Sequence, residues 1–254
     1  MPSIYNQVRA PRAWLPVFVV LLIGLLAGCS RESYTELMRA AKDGNATAVK
    51  QILDRGADVN ERNDKGKRAL MLAASEGRTE VAKLLISRGA EVDVADVYGT
   101  TALIVAATAG HTEVAALLLE HGADPAARDS GGGSPLVNAT FFGRTDTARL
   151  LLSKLPTLEK QDGEELLMLA AGLGHAEIVG GLLDHGVNVN GRGLKQRTAL
   201  MAAAAFNKPD AVRMLLSRGA DTTVTDEDGN TALTVARDKG NDEVVALLEK
   251  TSKP

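Results

Sequence analysis

The chain has 254 residues, 45% hydrophobic but only 3% aromatic, with 29 basic residues against 32 acidic ones and a formal net charge of -3. With no lysine or arginine stripe, this balance argues against nucleic-acid binding by phosphate neutralisation. The single cysteine, Cys29, excludes an intrachain disulfide, so stability must come from the apolar core.

The N-terminal segment carries its own signal. Arg9 and Arg12 precede an uncharged run, Trp14 to Ala27, which is suited to a signal peptide and short for a membrane span. The run ends Leu26-Ala27-Gly28-Cys29, which resembles the lipobox of bacterial lipoproteins. That resemblance implies a cleaved signal peptide over 1–28, a lipidated (palmitate-type) Cys29 and a short tether over 29–33. Acyl chains contribute about 0.8 kcal/mol per buried methylene, so several would hold the protein at a bilayer. Ser30, rather than an aspartate, resembles the signal for outer-membrane sorting. The expected location is therefore the periplasm, lipid-anchored to the outer membrane, with the inner membrane as the alternative. Loss of Arg9 and Arg12 would take the mature chain to a formal charge of -5.

From residue 34 to 250 the chain repeats itself. Leu37, Leu70, Leu103, Leu136, Leu167, Leu200 and Leu233 stand 33, 33, 33, 31, 33 and 33 residues apart. Gly44, Gly77, Gly110, Gly143, Gly174, Asn207 and Gly240 keep the same step, as do Ile52, Leu85, Leu118, Leu151, Leu182, Leu215 and Leu248. A fixed period of this size predicts a solenoid in which each unit buries its apolar face against its neighbours. Within a unit, leucine followed by small residues such as Ala73-Ala74 predicts a closely packed first helix. The glycine ends that helix, and apolar residues at helical spacing, Val81, Leu84 and Leu85, predict a second. The segment Arg55-Gly-Ala-Asp-Val-Asn60, echoed at 88–93, 121–126, 185–190 and 218–223, predicts a turn after it.

The third unit, Asp96-Val-Tyr-Gly-Thr-Thr-Ala-Leu-Ile-Val-Ala-Ala-Thr-Ala-Gly-His-Thr-Glu-Val-Ala-Ala-Leu-Leu-Leu-Glu-His-Gly-Ala-Asp124, resembles the ankyrin repeat. The resemblance implies an all-α solenoid of about seven helix-turn-helix units with turn or β-hairpin fingers, the terminal two units acting as caps and 251–254 as a tail. Alanines 69, 102, 199 and 232 replace the family's proline, and Met71, Ile104, Met168 and Met201 fill the space of its histidine.

Catalytic and metal sites are not expected. The four histidines, His111, His121, His175 and His185, occupy equivalent places on separate repeats rather than converging as zinc ligands would. The glycine run 131–133 lacks the lysine-serine pair of a phosphate loop and sits where a turn needs glycine. Arg62, Lys65, Lys67 and Arg68 form a basic cluster at one turn, read first as a solvated face and second as a phosphate or headgroup contact.

Five aromatics remain in the mature chain. Counting Asp96 as position 1 and Leu103 as position 8, Tyr98 is at position 3, Tyr34 at 5, Phe141 at 13, and Phe142 and Phe206 at 14. The ladders need none of them. In the ankyrin family such positions line the concave recognition face, and aromatics dominate interface hot spots. The expected binding residues are therefore Tyr34, Tyr98, Phe141, Phe142 and Phe206, with infilling under a neighbouring turn as the other reading of Phe141 and Phe142.

The fourth repeat is irregular. Leu155-Pro156-Thr157 replaces Gly-Ala-Asp, which predicts a shorter or re-aimed finger from Pro156 to Glu164, and Gly180-Gly181 interrupts the next second helix. Each interior glycine costs about 1 kcal/mol relative to alanine, so a soft point and a bend beside Phe141 and Phe142 are expected here.

The resulting expectation is a monomeric, cofactor-free, non-enzymatic module, anchored at Cys29 and binding a folded protein. Similarity to exported ankyrin proteins of Gram-negative bacteria implies an immunity protein against a periplasm-acting toxin, or an accessory to an envelope or oxidative-stress enzyme. A passive envelope scaffold is the further alternative.

Overall fold

The computed structural model describes residues 33–251. The signal-peptide run, Cys29 and residues 252–254 lie outside the described residues.

Among the described residues the chain forms helical hairpins and no strand. The pairs are α1 (Glu36–Asp43) with α2 (Ala46–Asp54), α3 (Ala69–Ser75) with α4 (Thr79–Ser87), and α5 (Ala102–Ala109) with α6 (Thr112–Glu120). They continue as α7 (Pro135–Phe141) with α8 (Thr145–Lys154), α9 (Lys160–Leu173) with α10 (Ala176–Asp184), α11 (Ala199–Ala205) with α12 (Pro209–Ser217), and α13 (Ala232–Lys239) with α14 (Asp242–Thr251). Two compact units emerge, one running to Val105 together with Leu117–Ser134, the other comprising Ala106–Ala116 and the chain from Pro135 onward.

Helices this short are marginal alone, so their ends are fixed by specific bonds. The side chains of Thr35, Asn45, Thr198 and Thr231 each accept an N–H of the first turn that would otherwise lack a partner. At the other end, every member of the glycine ladder adopts the left-handed conformation, and Asn207 does so at φ 52°. Gly44 shows the consequence, its N–H reaching the carbonyls of Ala40 and Ala41.

A side chain from the following repeat then seals the helix end. In the first unit, Arg78 lies over Gly44 and donates from Nε to the Lys42 carbonyl at 3.1 Å. In the second, Arg144 lies over Gly110 and donates to the Thr108 carbonyl at 3.1 Å, while Asn241 donates to Ala204 at 2.7 Å. A β-carbon on Gly44 or Gly110 would collide with the arginine above it, at 2.8 and 2.7 Å.

The leucine ladder is buried from Leu37 to Leu200, and the second ladder from Ile52 to Leu248. Only Leu233, in the last repeat, is half-buried. A fully buried leucine contributes about 1.5–3 kcal/mol, so the rungs supply much of the stability within each unit. Met71, Ile104 and Met201 are buried as expected, whereas Met168 is half-buried and lies against Gly193.

The fingers, expected as turns or β-hairpins, are turns. Asn63, Asp96, Asp129 and Asp226 each accept two backbone N–H groups on one side-chain oxygen, from two and four residues ahead. The side chain takes the bonds a strand ladder would have used. Neighbouring fingers are joined by single backbone bonds, Val97 N–H to Lys65 and Ser130 N–H to Tyr98 in the first unit, Glu227 N–H to Lys195 in the second, where the Arg197 guanidinium also pairs with Asp226. Burial pushes the Asp226 carboxyl up, but the amides of Asn230 and Asp228 and the Arg197 guanidinium outweigh it and hold the group below its usual range.

Two departures fall in the second unit. Leu155 ends α8 in an extended conformation, and α9 begins at Lys160 and runs for 14 residues, so an added helical turn takes the place of the finger expected at Pro156–Glu164. In the sixth repeat, Lys195 and Gln196 adopt φ of 61° and 56°, where Gly66, Gly99, Gly132 and Gly229 serve the other fingers. The Gly180-Gly181 pair is not left void: Met214 packs over Gly180, and Leu152 lies 3.5 Å from where a Gly181 β-carbon would stand.

Candidate partner-binding surface

Helical geometry decides which residues of the first helices face outward. At about 100° per residue, positions 8, 11 and 12 share one face and positions 10, 13 and 14 the opposite one. In α7 the first set is Leu136, Ala139 and Thr140, all buried; the second is Asn138, Phe141 and Phe142, all half-buried. The same outward positions carry Leu169, Gly172 and Leu173 in α9, and Ala202, Ala205 and Phe206 at α11. Three successive repeats thus present this face without a charge. The seventh repeat breaks the run with Asp238-Lys239 and the second carries Glu76 at position 14, whereas the third, with Val105, Thr108 and Ala109, is uncharged as well.

The aromatics of this face are held in defined ways. Phe141 and Phe142 pack edge to face, with ring centroids 5.1 Å apart and planes at 78°. Phe206 is 61% exposed, and its ring lies against Gly172, 3.4 Å from where a β-carbon would be. The glycine makes room for the ring while leaving most of it in water. Among the described residues, exposed large hydrophobics are few, and burying Phe206 on a partner would remove an unfavourable hydration surface.

His175 closes the end of this stripe. Its ring covers Gly143, leaving a β-carbon there only 2.6 Å from Cε1. Burial foremost, and Lys208 to a lesser degree, lower its pKa, opposed by a hydrogen bond to the Phe141 carbonyl. It is a helix-end cap equivalent to Arg144 and Asn241. His121 likewise bonds the Leu117 carbonyl through Nδ1 at 2.9 Å. No group of His, Cys, Asp or Glu among the described residues is arranged to hold a metal.

Of the five aromatics expected to bind, the second unit brings Phe141, Phe142 and Phe206 onto one face. Tyr34 and Tyr98 belong to the first unit. Tyr34 is half-buried with the Lys42 ammonium 5.5 Å above its ring, and Tyr98 is 54% exposed on a finger. Absent from the sequence-based expectation are Leu169 and Leu173, which carry the stripe across α9, and the exposed Val97 and Leu194, both at finger position 2. A signal existed for the last two: other fingers place Asp64, Ser130 and Glu227 there.

Stacked helical hairpins with left-handed caps and turn fingers define a repeat protein whose outer positions are free to vary. A family model described as ankyrin repeats (3 copies) matches residues 37–129, 136–226 and 188–254. The chain belongs to the ankyrin repeat family. The human ASB11 ankyrin repeat domain is similar to it with a TM-score of 0.75 and 26% identity, covering 87% of this chain and 100% of that one. The ankyrin repeat domain of Bcl-3, a member of the IkappaB family, gives 0.70 and 27%, covering 86% and 100%. Sequence relatives match over shorter stretches. The E3 ubiquitin-protein ligase hecd-1 of Caenorhabditis elegans is 42% identical over 93 residues, 35% of this chain and 3% of that protein. Serine/threonine-protein kinase 12 of Arabidopsis thaliana is 37% identical over 94 residues, 35% of this chain and 20% of that protein. The chain therefore spans a small part of those relatives. Ankyrin repeat domains bind protein partners.

Proposed function

We propose that the protein is a non-catalytic interaction module, held at a bacterial envelope membrane through a lipidated Cys29, that binds a folded protein partner on the uncharged face of its second unit. The observation that carries the reading is the run of Phe141, Phe142, Leu173 and Phe206 on consecutive first helices, with Phe206 61% exposed. Its core neighbours are aliphatic, so packing alone does not require these rings. Partner recognition supplies a reason for them, because rigid aromatics contribute large contact area at small entropic cost. The periplasm is the compartment, on the strength of the leader and the lipobox-like Leu26 to Cys29. An immunity role and an accessory role in oxidative stress separate by phenotype: deletion abolishes self-protection in the first and sensitises cells to peroxide in the second.

The test is crosslinking in envelopes, comparing the native chain with a Phe142→Ala/Phe206→Ala variant of unchanged thermal stability. Specific capture that the variant loses supports the reading. Equal capture refutes the face.

A further inference from the structure

We infer that the second and third fingers of the first unit form a membrane-docking edge that rests on an anionic phospholipid surface, an inference that builds on the proposed lipidation of Cys29. Three observations meet there. The chain enters the described structure at Ser33, whose hydroxyl lies 3.5 Å from Asp64 in the second finger. Four residue steps separate Cys29 from Ser33, and an extended chain covers at most about 3.6 Å per residue, so a lipidated Cys29 lies within roughly 14 Å of Ser33, which touches that finger. The finger is therefore tethered beside the bilayer.

Its chemistry fits that position. Arg62 is exposed, and Lys65 and Lys67 are half-buried. Arg68 has a separate structural task, donating to the Asn60 carbonyl and pairing with Glu91 at 3.6 Å with 15% of its side chain exposed. The third finger is locked to the second by the Val97 N–H to Lys65 carbonyl bond and presents Val97, 61% exposed, and Tyr98, 54% exposed. An aliphatic tip with an adjacent tyrosine, next to basic side chains, suits the headgroup region: cations meet phosphate while the apolar and amphipathic side chains enter the interface. The proposed partner face lies in the other unit, so the two surfaces share no residue.

The experiment uses the full chain, processed in bacteria and reconstituted into phosphatidylcholine vesicles with or without phosphatidylglycerol. Trp14 is the only tryptophan and lies in the cleaved run, so Tyr98→Trp gives the mature chain a single reporter. The expected result is blue-shifted emission, quenched by brominated lipid, in vesicles containing phosphatidylglycerol and lost in high salt. Each basic residue near an anionic surface contributes about fivefold, so adding Arg62→Gln, Lys65→Gln and Lys67→Gln lowers the docking equilibrium about a hundredfold. Circular dichroism verifies that the variant retains its helices. Water-exposed emission in both vesicle types, from protein whose Cys29 is acylated by mass spectrometry, overturns the docking edge and leaves anchoring intact. An unmodified Cys29 overturns the anchoring itself and the docking built on it.

Discussion

Thr140 offers the sharpest test of the packing account, because it breaks a ladder inside the core. Alanine fills its position in Ala74, Ala107, Ala171 and Ala204, whereas Thr140 is fully buried and its hydroxyl has no hydrogen-bond partner. An unsatisfied buried hydroxyl costs about 1–3 kcal/mol. Thr140→Val keeps the side-chain volume and replaces the hydroxyl by a methyl, so it stabilises the second unit by about 1–2 kcal/mol once imperfect methyl packing is allowed for. Thr140→Ala also removes the hydroxyl but loses a buried methyl worth about 0.8 kcal/mol, partly offset by about 0.5 kcal/mol of helix propensity. It therefore gains less than valine. Chemical denaturation read by helicity, with hydrogen exchange on α7 and α8 to localise the change, measures both. A Thr140→Val variant destabilised by 1 kcal/mol or more would refute the reasoning, since it would mean that the hydroxyl makes a bond worth keeping (a threshold set by the scale of one net hydrogen bond, ~1 kcal/mol).

Two further outcomes follow from backbone strain and titration. Gln196→Gly relieves a left-handed residue at the place where other fingers carry glycine and raises stability by about 1 kcal/mol; a lower melting temperature would contradict it. His175 has a folded-state pKa below its ordinary 6.5, chiefly through burial, so the unfolded chain binds its proton more tightly. Its contribution is complete above pH 6.5 and declines as pH falls through that value toward the lowered folded pKa. His175→Asn, which copies the cap that Asn241 supplies, flattens stability against pH in this window, and an unchanged slope would show that another group is responsible.

Most of the fold was legible because the period repeats the same physical demand: a leucine at position 8, buried in all but the last repeat, a left-handed residue after the first helix, an apolar rung in the second. Asn207 takes the left-handed place without being glycine, as its alignment with the ladder implied. What the period could not reveal was how irregular segments are repaired. Pro156 announced a remade turn, yet the extension of α9 back to Lys160 depends on cooperative helix growth, which no single residue encodes. Gly180 likewise suggested a weakness, while the Met214 side chain that packs over it comes from the next repeat. The surface was half legible. The aromatics were conspicuous, but Leu169 and Leu173 look like core residues until the helix phase assigns them outward.

The central claim is that the uncharged face of the second unit recognises a protein. Crosslinking the Phe142→Ala/Phe206→Ala chain in envelopes beside the native chain tests it most directly. The account predicts that a specific crosslinked species disappears while the helices, the thermal stability and the anchoring persist; the same species at the same yield from both chains would contradict it.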